Sequence, residues 1–335
     1  MPKSLKSSAT SWQTELIVLT RFLLLLLVTL NTCCGQDDLS WVREPTGQQR
    51  KNTPGLIHET VDSKLMKTRV GYCVVLPPGY ETNKQRYPVV YWLHGGGGNE
   101  CSSLFTANTW QTLYRDKAID EVILVYPNGR RSGYMDHHHG KIMIESLIMT
   151  ELIPQVDAKY RTIASREGRA VHGFSMGSSG ALKFVIKYPE MFCSAVAYGG
   201  GAIDLEKSKM PFITNIMKRN FDGDPKLIRR NNTYRMLESN HKRVREIGIP
   251  FLLISGEKDS WTDSAKTFQK ELRRHKLECN LRVVPGVAHN IRGLFKVEGA
   301  AAARFQDKVF RKLRDKNKSR SAVRSGDSPA GGRPE

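Results

Sequence analysis

The sequence predicts an α/β fold: a mostly parallel sheet with helices on both faces and a small lid insertion. Three observations carry that prediction. From residue 87 onward, short apolar runs alternate with runs of helical spacing, the pattern of repeated β–α units. Runs such as Pro250-Phe-Leu-Leu-Ile254 are apolar throughout, as strands covered on both faces must be. One apolar run, Ala170-Val-His-Gly-Phe174, ends in Gly173-Phe-Ser-Met-Gly177 and leads into the helix-forming run Ala181–Tyr188. The chain of 335 residues, 39% of them hydrophobic, is long enough for one large domain or two smaller ones.

Taken in order, residues 1–35 read as an export signal. Lys3, Lys6 and Arg21 precede the apolar run Phe22–Leu30, and the small residues of Cys33-Cys34-Gly35 offer a cleavage site before Gln36. The run is short for a bilayer span. A lipoprotein box at Leu30-Asn-Thr-Cys33 and an uncleaved anchor are the alternatives, and only these would bring a membrane into play. Residues 36–62 are polar and carry Pro45, Pro54 and Gly55, and so read as a linker or an irregular N-terminal arm. A domain over 63–314 follows. Its first strand is Arg69–Leu76, closed by the turn Pro77-Pro-Gly-Tyr80. Tyr87–Leu93 is the second strand and runs into His94-Gly-Gly-Gly-Gly98.

Thr109–Ile119 reads as a helix and Val122–Tyr126 as a strand. Ile142–Tyr160 is a helix with a kink at Pro154. Phe192–Tyr198, Phe251–Ile254 and Leu281–Val284 are strands, Trp261–His275 and Lys296–Leu313 helices. Residues 202–247 mix basic residues with Phe212, Met217 and Phe221 and read as the lid, with a plain structural connection as the alternative. From 315 to 335 the chain is basic with little to bury, which predicts a disordered tail. No internal repeat is visible.

The net charge of +19 favours anionic partners or a simply basic surface. No nucleic-acid motif accompanies it. Of six cysteines, two lie in the signal. Cys73, Cys101, Cys193 and Cys279 remain, and their pairing is open. No cysteine spacing resembles a zinc site. The run His137-His138-His139 cannot present three rings to one metal from a regular element.

The chemistry gathers at strand ends. Ser175 occupies the turn between strand and helix, where a nucleophile is exposed beside a helix N-terminus. Asp259 follows the strand 251–254, ahead of its rivals Glu257 and Asp263. His289 follows the last strand. A serine hydroxyl needs an imidazole to take its proton, and the imidazole needs a carboxylate to fix its tautomer. The order Ser, Asp, His is that of the α/β-hydrolase layout. That layout takes oxyanion-hole N–H groups from the residue after the nucleophile, Met176, and from the glycine loop, here Gly96. His94, Gly95, Tyr134 and His172 are candidates to line the substrate site, with His94 and His172 orienting the two loops by hydrogen bonds.

Four stretches together resemble a known family: Leu93-His-Gly-Gly-Gly-Gly98, Glu151-Leu-Ile-Pro-Gln-Val-Asp157, Gly173-Phe-Ser-Met-Gly-Ser-Ser-Gly-Ala-Leu182 and Tyr188-Pro-Glu-Met-Phe192. The family is the esterases that include esterase D (S-formylglutathione hydrolase), feruloyl esterases and the antigen 85 mycolyltransferases. The resemblance spans about 65–312. It implies an α/β-hydrolase fold, carboxylic-ester hydrolysis through an acyl-enzyme, no cofactor, and Ser175, Asp259 and His289 as nucleophile, acid and base. It suggests acyl or feruloyl esters on polysaccharide, and the export signal predicts a periplasmic or extracellular location. Two departures stand out. Ser178 replaces a usual glycine, and Asn290-Ile291 stands where many feruloyl esterases carry tryptophan. An acyltransferase, or a carbohydrate- or surface-binding protein on a hydrolase scaffold, are the alternatives.

Overall fold

The computed structural model describes residues 40–324; segments 1–39 and 325–335, including the export signal read above, lie outside them. Eight strands form one sheet: β1 (Leu56–Ser63), β2 (Thr68–Val75), β3 (Val89–Leu93), β4 (Ile123–Pro127), β5 (Arg169–Phe174), β6 (Ala195–Tyr198), β7 (Phe251–Gly256) and β8 (Cys279–Val284). Their order is β1-β2-β4-β3-β5-β6-β7-β8. β1 and β2 are antiparallel to their neighbours. All pairings from β4 to β8 are parallel.

Alternation along the strands builds two cores. Val89, Tyr91 and Leu93 face one side, where α5 (Met176–Lys187), α8 (Thr233–Ile247) and α9 (Thr262–Arg274) supply Phe184, Leu237 and Phe268. Val90 and Trp92 face the other, where α2 (Ala107–Arg115) and α10 (Ile291–Arg324) supply Trp110 and Phe295. Both faces are therefore dry, which is why the central strands are mostly apolar, with buried exceptions such as Arg169 and His172.

Three readings change, and a fourth gains detail. Part of the expected linker is a short helix, α1 (Gly47–Asn52), and the edge strand β1. Only Val61 and Ser63 of β1 are buried, so its sequence lacks an apolar signature. The expected tail begins inside α10, which runs on to Arg324. Ion pairs, Arg311 with Asp307 and Arg314 with Asp120, fasten it where the tail was expected to begin. The kink expected at Pro154 is a π turn, Ile148–Leu152, between the helices α3 (Ile144–Leu147) and α4 (Ile153–Lys159). Proline cannot donate to the carbonyl four residues back, and the widened turn precedes it. Finally, 202–247 folds as three helices: α6 (Pro211–Phe221), α7 (Pro225–Asn231) and α8. Leu205, Ile213, Met217 and Phe221 close a small apolar core of their own with Met135.

Candidate active site

The site stands at the carboxyl ends of β3, β5, β6 and β7. Between β5 and α5, Ser175 takes φ 55° and ψ −111°. A non-glycine residue there stores strain of order 1–3 kcal/mol. The surroundings hold it. The Ser175 N–H donates to the Tyr198 carbonyl at 2.8 Å, and the Ser175 carbonyl accepts from the Ser179 N–H at 3.2 Å. The elbow closes only because Gly173 and Gly177 have no side chain: a Cβ on Gly173 would stand 2.1 Å from the Gly177 carbonyl oxygen, and one on Gly177 2.1 Å from that of Leu93. Ser178 is buried and donates to the Gly200 carbonyl at 2.6 Å, so it ties α5 to the loop after β6.

Ser175, Asp259 and His289 come together in one chain of hydrogen bonds. The Ser175 hydroxyl donates to His289 Nε2 at 2.8 Å. His289 Nδ1–H donates to Asp259 Oδ2 at 2.9 Å. The other oxygen of Asp259 accepts from the Trp261 N–H at 2.8 Å. The carboxylate is an acceptor only, so it fixes the proton on Nδ1 and leaves Nε2 free to accept from serine. The rivals are elsewhere: Glu257 accepts from the Gly286 N–H and Asp263 pairs with Lys266. Phe174 lies against the His289 ring, centroids 4.8 Å apart.

Gly96 and Met176 both border the site; a Cβ on Gly96 would lie 3.9 Å from that of Met176. Met176 is the first residue of α5, whose leading N–H groups have no partner within the helix. A cavity of about 460 Å³ opens from Ser175. Its wall is mostly apolar, with Met135, Ile203, Leu205, Phe212, Ile216 and Trp261 around it, and Arg131 and Arg219 also on its surface. Residues of the segment 202–247 thus form one wall of the cavity.

The expected lining residues are placed differently. Gly96 and Gly97 line the cavity, whereas Gly95 does not. His94 is buried beneath the loop. Its Nε2 accepts from the Gly129 N–H at 2.9 Å, so Nδ1 carries the proton and donates to the Gly95 carbonyl at 2.7 Å. Burial holds its pKa down to about 4. Tyr134 is fully buried and donates its hydroxyl to the His94 carbonyl at 3.2 Å. His172 lies in the core on the α10 side of the sheet. It sits 3.2 Å from Gln306 Oε1 and packs against Trp92 and Trp110. None of the three lines the cavity, because each points into packed protein. His137 is buried and bonded to the Ser132 carbonyl, and the His138 N–H donates to the Asn220 carbonyl at 2.8 Å, so the histidine run fastens its loop to α6. Arg131, Arg219 and Trp261 were not expected at the site. An aromatic residue two positions beyond the acid of a triad was the available signal for Trp261.

Behind the elbow lies a buried ionic cluster. Lys183 of α5 donates to Glu145 Oε2 at 2.6 Å and to the Tyr134 carbonyl. Glu145 also meets Lys187 and accepts from the Tyr188 hydroxyl at 2.7 Å. Burial alone would raise the Glu145 carboxyl, but the two ammonium groups outweigh it and hold it at about 2. Cys73, Cys101, Cys193 and Cys279 are free and buried, with Cys73 and Cys101 sulfurs 3.9 Å apart. Among the described residues, no group of three or more His, Cys, Asp or Glu is placed to hold a metal, and no helix is long and apolar enough to cross a membrane.

The chain is similar to known proteins. Esterase Rv1288 of Mycobacterium tuberculosis is 34% identical over 158 residues, 46% of this chain and 34% of that protein. An endo-1,4-beta-xylanase/feruloyl esterase of Xylanibacter ruminicola is 32% identical over 148 residues, 41% of this chain and 20% of that protein. The match thus spans about a third of the first relative's length and a fifth of the second's. A ferulic acid esterase of known structure superposes with a TM-score of 0.65 over 76% of this chain and 98% of its own, at 23% identity, and so shares the α/β-hydrolase fold. The family described as "Putative esterase" matches residues 63–288, more than half of the chain. The chain belongs to that esterase family.

Proposed function

We propose that the chain is an exported serine esterase that cleaves carboxylic esters through an acyl-enzyme. The observation that carries this reading is the unbroken hydrogen-bond chain Ser175–His289–Asp259 at the floor of an apolar cavity. Ser175 Oγ attacks the ester carbonyl while His289 Nε2 takes its proton. Asp259 steadies the imidazolium. The N–H groups of Met176 and Gly96 receive the oxyanion, and loss of one such donor costs about 3 kcal/mol of transition-state stabilisation. Collapse breaks the ester bond, and the alcohol leaves with the proton from His289. Water then repeats the sequence on the acyl-serine and frees the acid.

The cavity suits an apolar or aromatic acyl group. The name of the Xylanibacter relative supports a plant-polysaccharide ester as substrate, by analogy alone. Trp261 supplies an aromatic wall from the acid loop, where Asn290-Ile291 supplies none. Hydrolysis of p-nitrophenyl esters by the purified chain, beside Ser175→Ala, tests the mechanism. Activity in the parent that falls by at least about 10³-fold in the variant agrees with a nucleophilic serine. Equal activity in both would refute it.

A further inference from the structure

Arg219 stands at the cavity mouth, exposed, and its bonds all go to neutral groups. Nη2 donates to the Arg131 carbonyl at 2.7 Å and Nε to Asn220 Oδ1 at 3.0 Å. Asn220 is itself buried and donates to the Ser132 carbonyl at 3.0 Å, so the guanidinium is held in place from behind. Nη1 has no acceptor among the described residues, and no carboxylate lies within ion-pair distance of Arg219. Nearby acids are occupied. Asp222 pairs with Lys218, and Glu206 with Arg229 and Arg235. The cavity wall contains two arginines, Arg131 and Arg219, and no aspartate or glutamate. Burial, with the Arg131 charge beside it, lowers the Arg219 pKa. The planar Arg219 guanidinium can meet carboxylate, phosphate or sulfate with charge-assisted hydrogen bonds.

We infer that the natural ester carries an anionic group, and that Arg219, beside Arg131, is the specificity-determining residue that receives it. This inference rests on the esterase reading above. It concerns which ester is preferred, and the bond broken is the same.

Matched pairs of esters test it. On the acyl side, p-nitrophenyl hexanoate is compared with the mono-p-nitrophenyl ester of adipic acid. On the alcohol side, 4-hexanoyloxybenzoate is compared with its methyl ester. Each is measured with the parent and with Arg219→Gln, so that intrinsic reactivity cancels in the ratio. In one of the two pairs, the variant loses about tenfold in kcat/KM on the charged ester and stays within about twofold on the neutral one. High salt erases the same advantage in the parent. Equal effects of Arg219→Gln on charged and neutral esters in both pairs would overturn the inference while leaving the esterase reading intact. A folded parent inactive on all four esters would overturn the esterase reading and this inference with it. Thermal unfolding of Arg219→Gln beside the parent separates lost recognition from lost fold.

Discussion

Replacing Lys183 by methionine tests the cluster that fastens the nucleophile helix to the loop behind the site. Lys183 is 1% exposed and Glu145 2%. Methionine fills most of the lysine's volume, so the change removes the charge and little packing. Glu145 is then a buried carboxylate that keeps Lys187 and the Tyr188 hydroxyl but loses its best partner. Breaking a buried pair from one side costs about 3–5 kcal/mol. For a domain of this size each kcal/mol moves Tm by about 2 °C, so Tm should fall by about 6–10 °C. Adding Glu145→Gln removes the stranded charge, and the double variant should melt above Lys183→Met alone. The Tyr134 carbonyl also loses its donor. Since Tyr134 supports the His94 carbonyl, ester hydrolysis at 25 °C should drop in kcat more than in KM. Differential scanning calorimetry of the parent, Lys183→Met, Glu145→Gln and the double variant reads the cycle. A Lys183→Met Tm within about 2 °C of the parent, or a double variant less stable than Lys183→Met, would refute the reasoning.

Acid should weaken the fold before it protonates the carboxylates. Burial holds His94, His137 and His172 at about 4 against an ordinary 6.5. The unfolded chain therefore binds more protons than the folded one between those values. Stability is full above pH 6.5 and is lost as pH falls toward 4, by roughly 4 kcal/mol per pH unit at the steepest if all three groups act together. Glu145, held at about 2 against 4.5, adds a further loss below pH 4.5. A Tm that stays level from pH 7 to pH 5 would contradict this. Export should leave its own mark: N-terminal sequencing of the secreted chain should begin near Gln36, and a chain that retains residues 1–35 would exclude cleavage there.

Much of the sheet was legible because its central strands are dry on both faces, and an apolar run such as Phe251–Ile254 has no other reading at that length. The elbow was legible because a Cβ at 173 or 177 would stand 2.1 Å from a backbone carbonyl oxygen, which leaves glycine as the residue that fits there. What escaped was set by distant partners. His172 looked like a site residue from its place next to the elbow, yet it is bound to Gln306, 134 positions away. β1 escaped because an edge strand with one wet face needs few apolar residues. The end of α10 escaped because residues beyond 314 carry no apolar spacing to mark a helix, while Arg311 and Arg314 just before them pair with Asp120, nearly two hundred positions earlier. Arg219 reaches the cavity through a lid whose path over the sheet no local pattern describes.

The turn from Asp259 to Trp261 joins two duties that can vary independently. The hydrogen bond that steadies the carboxylate comes from a backbone N–H, which any residue except proline provides. The indole on the same residue walls the cavity and meets Phe212 edge-on at 6.4 Å. Substitution at position 261 can therefore recut the pocket without altering the hydrogen-bonding group behind the histidine. New substrates become accessible to descendants of this chain, or to an engineer, by changes that leave the proton relay as it is.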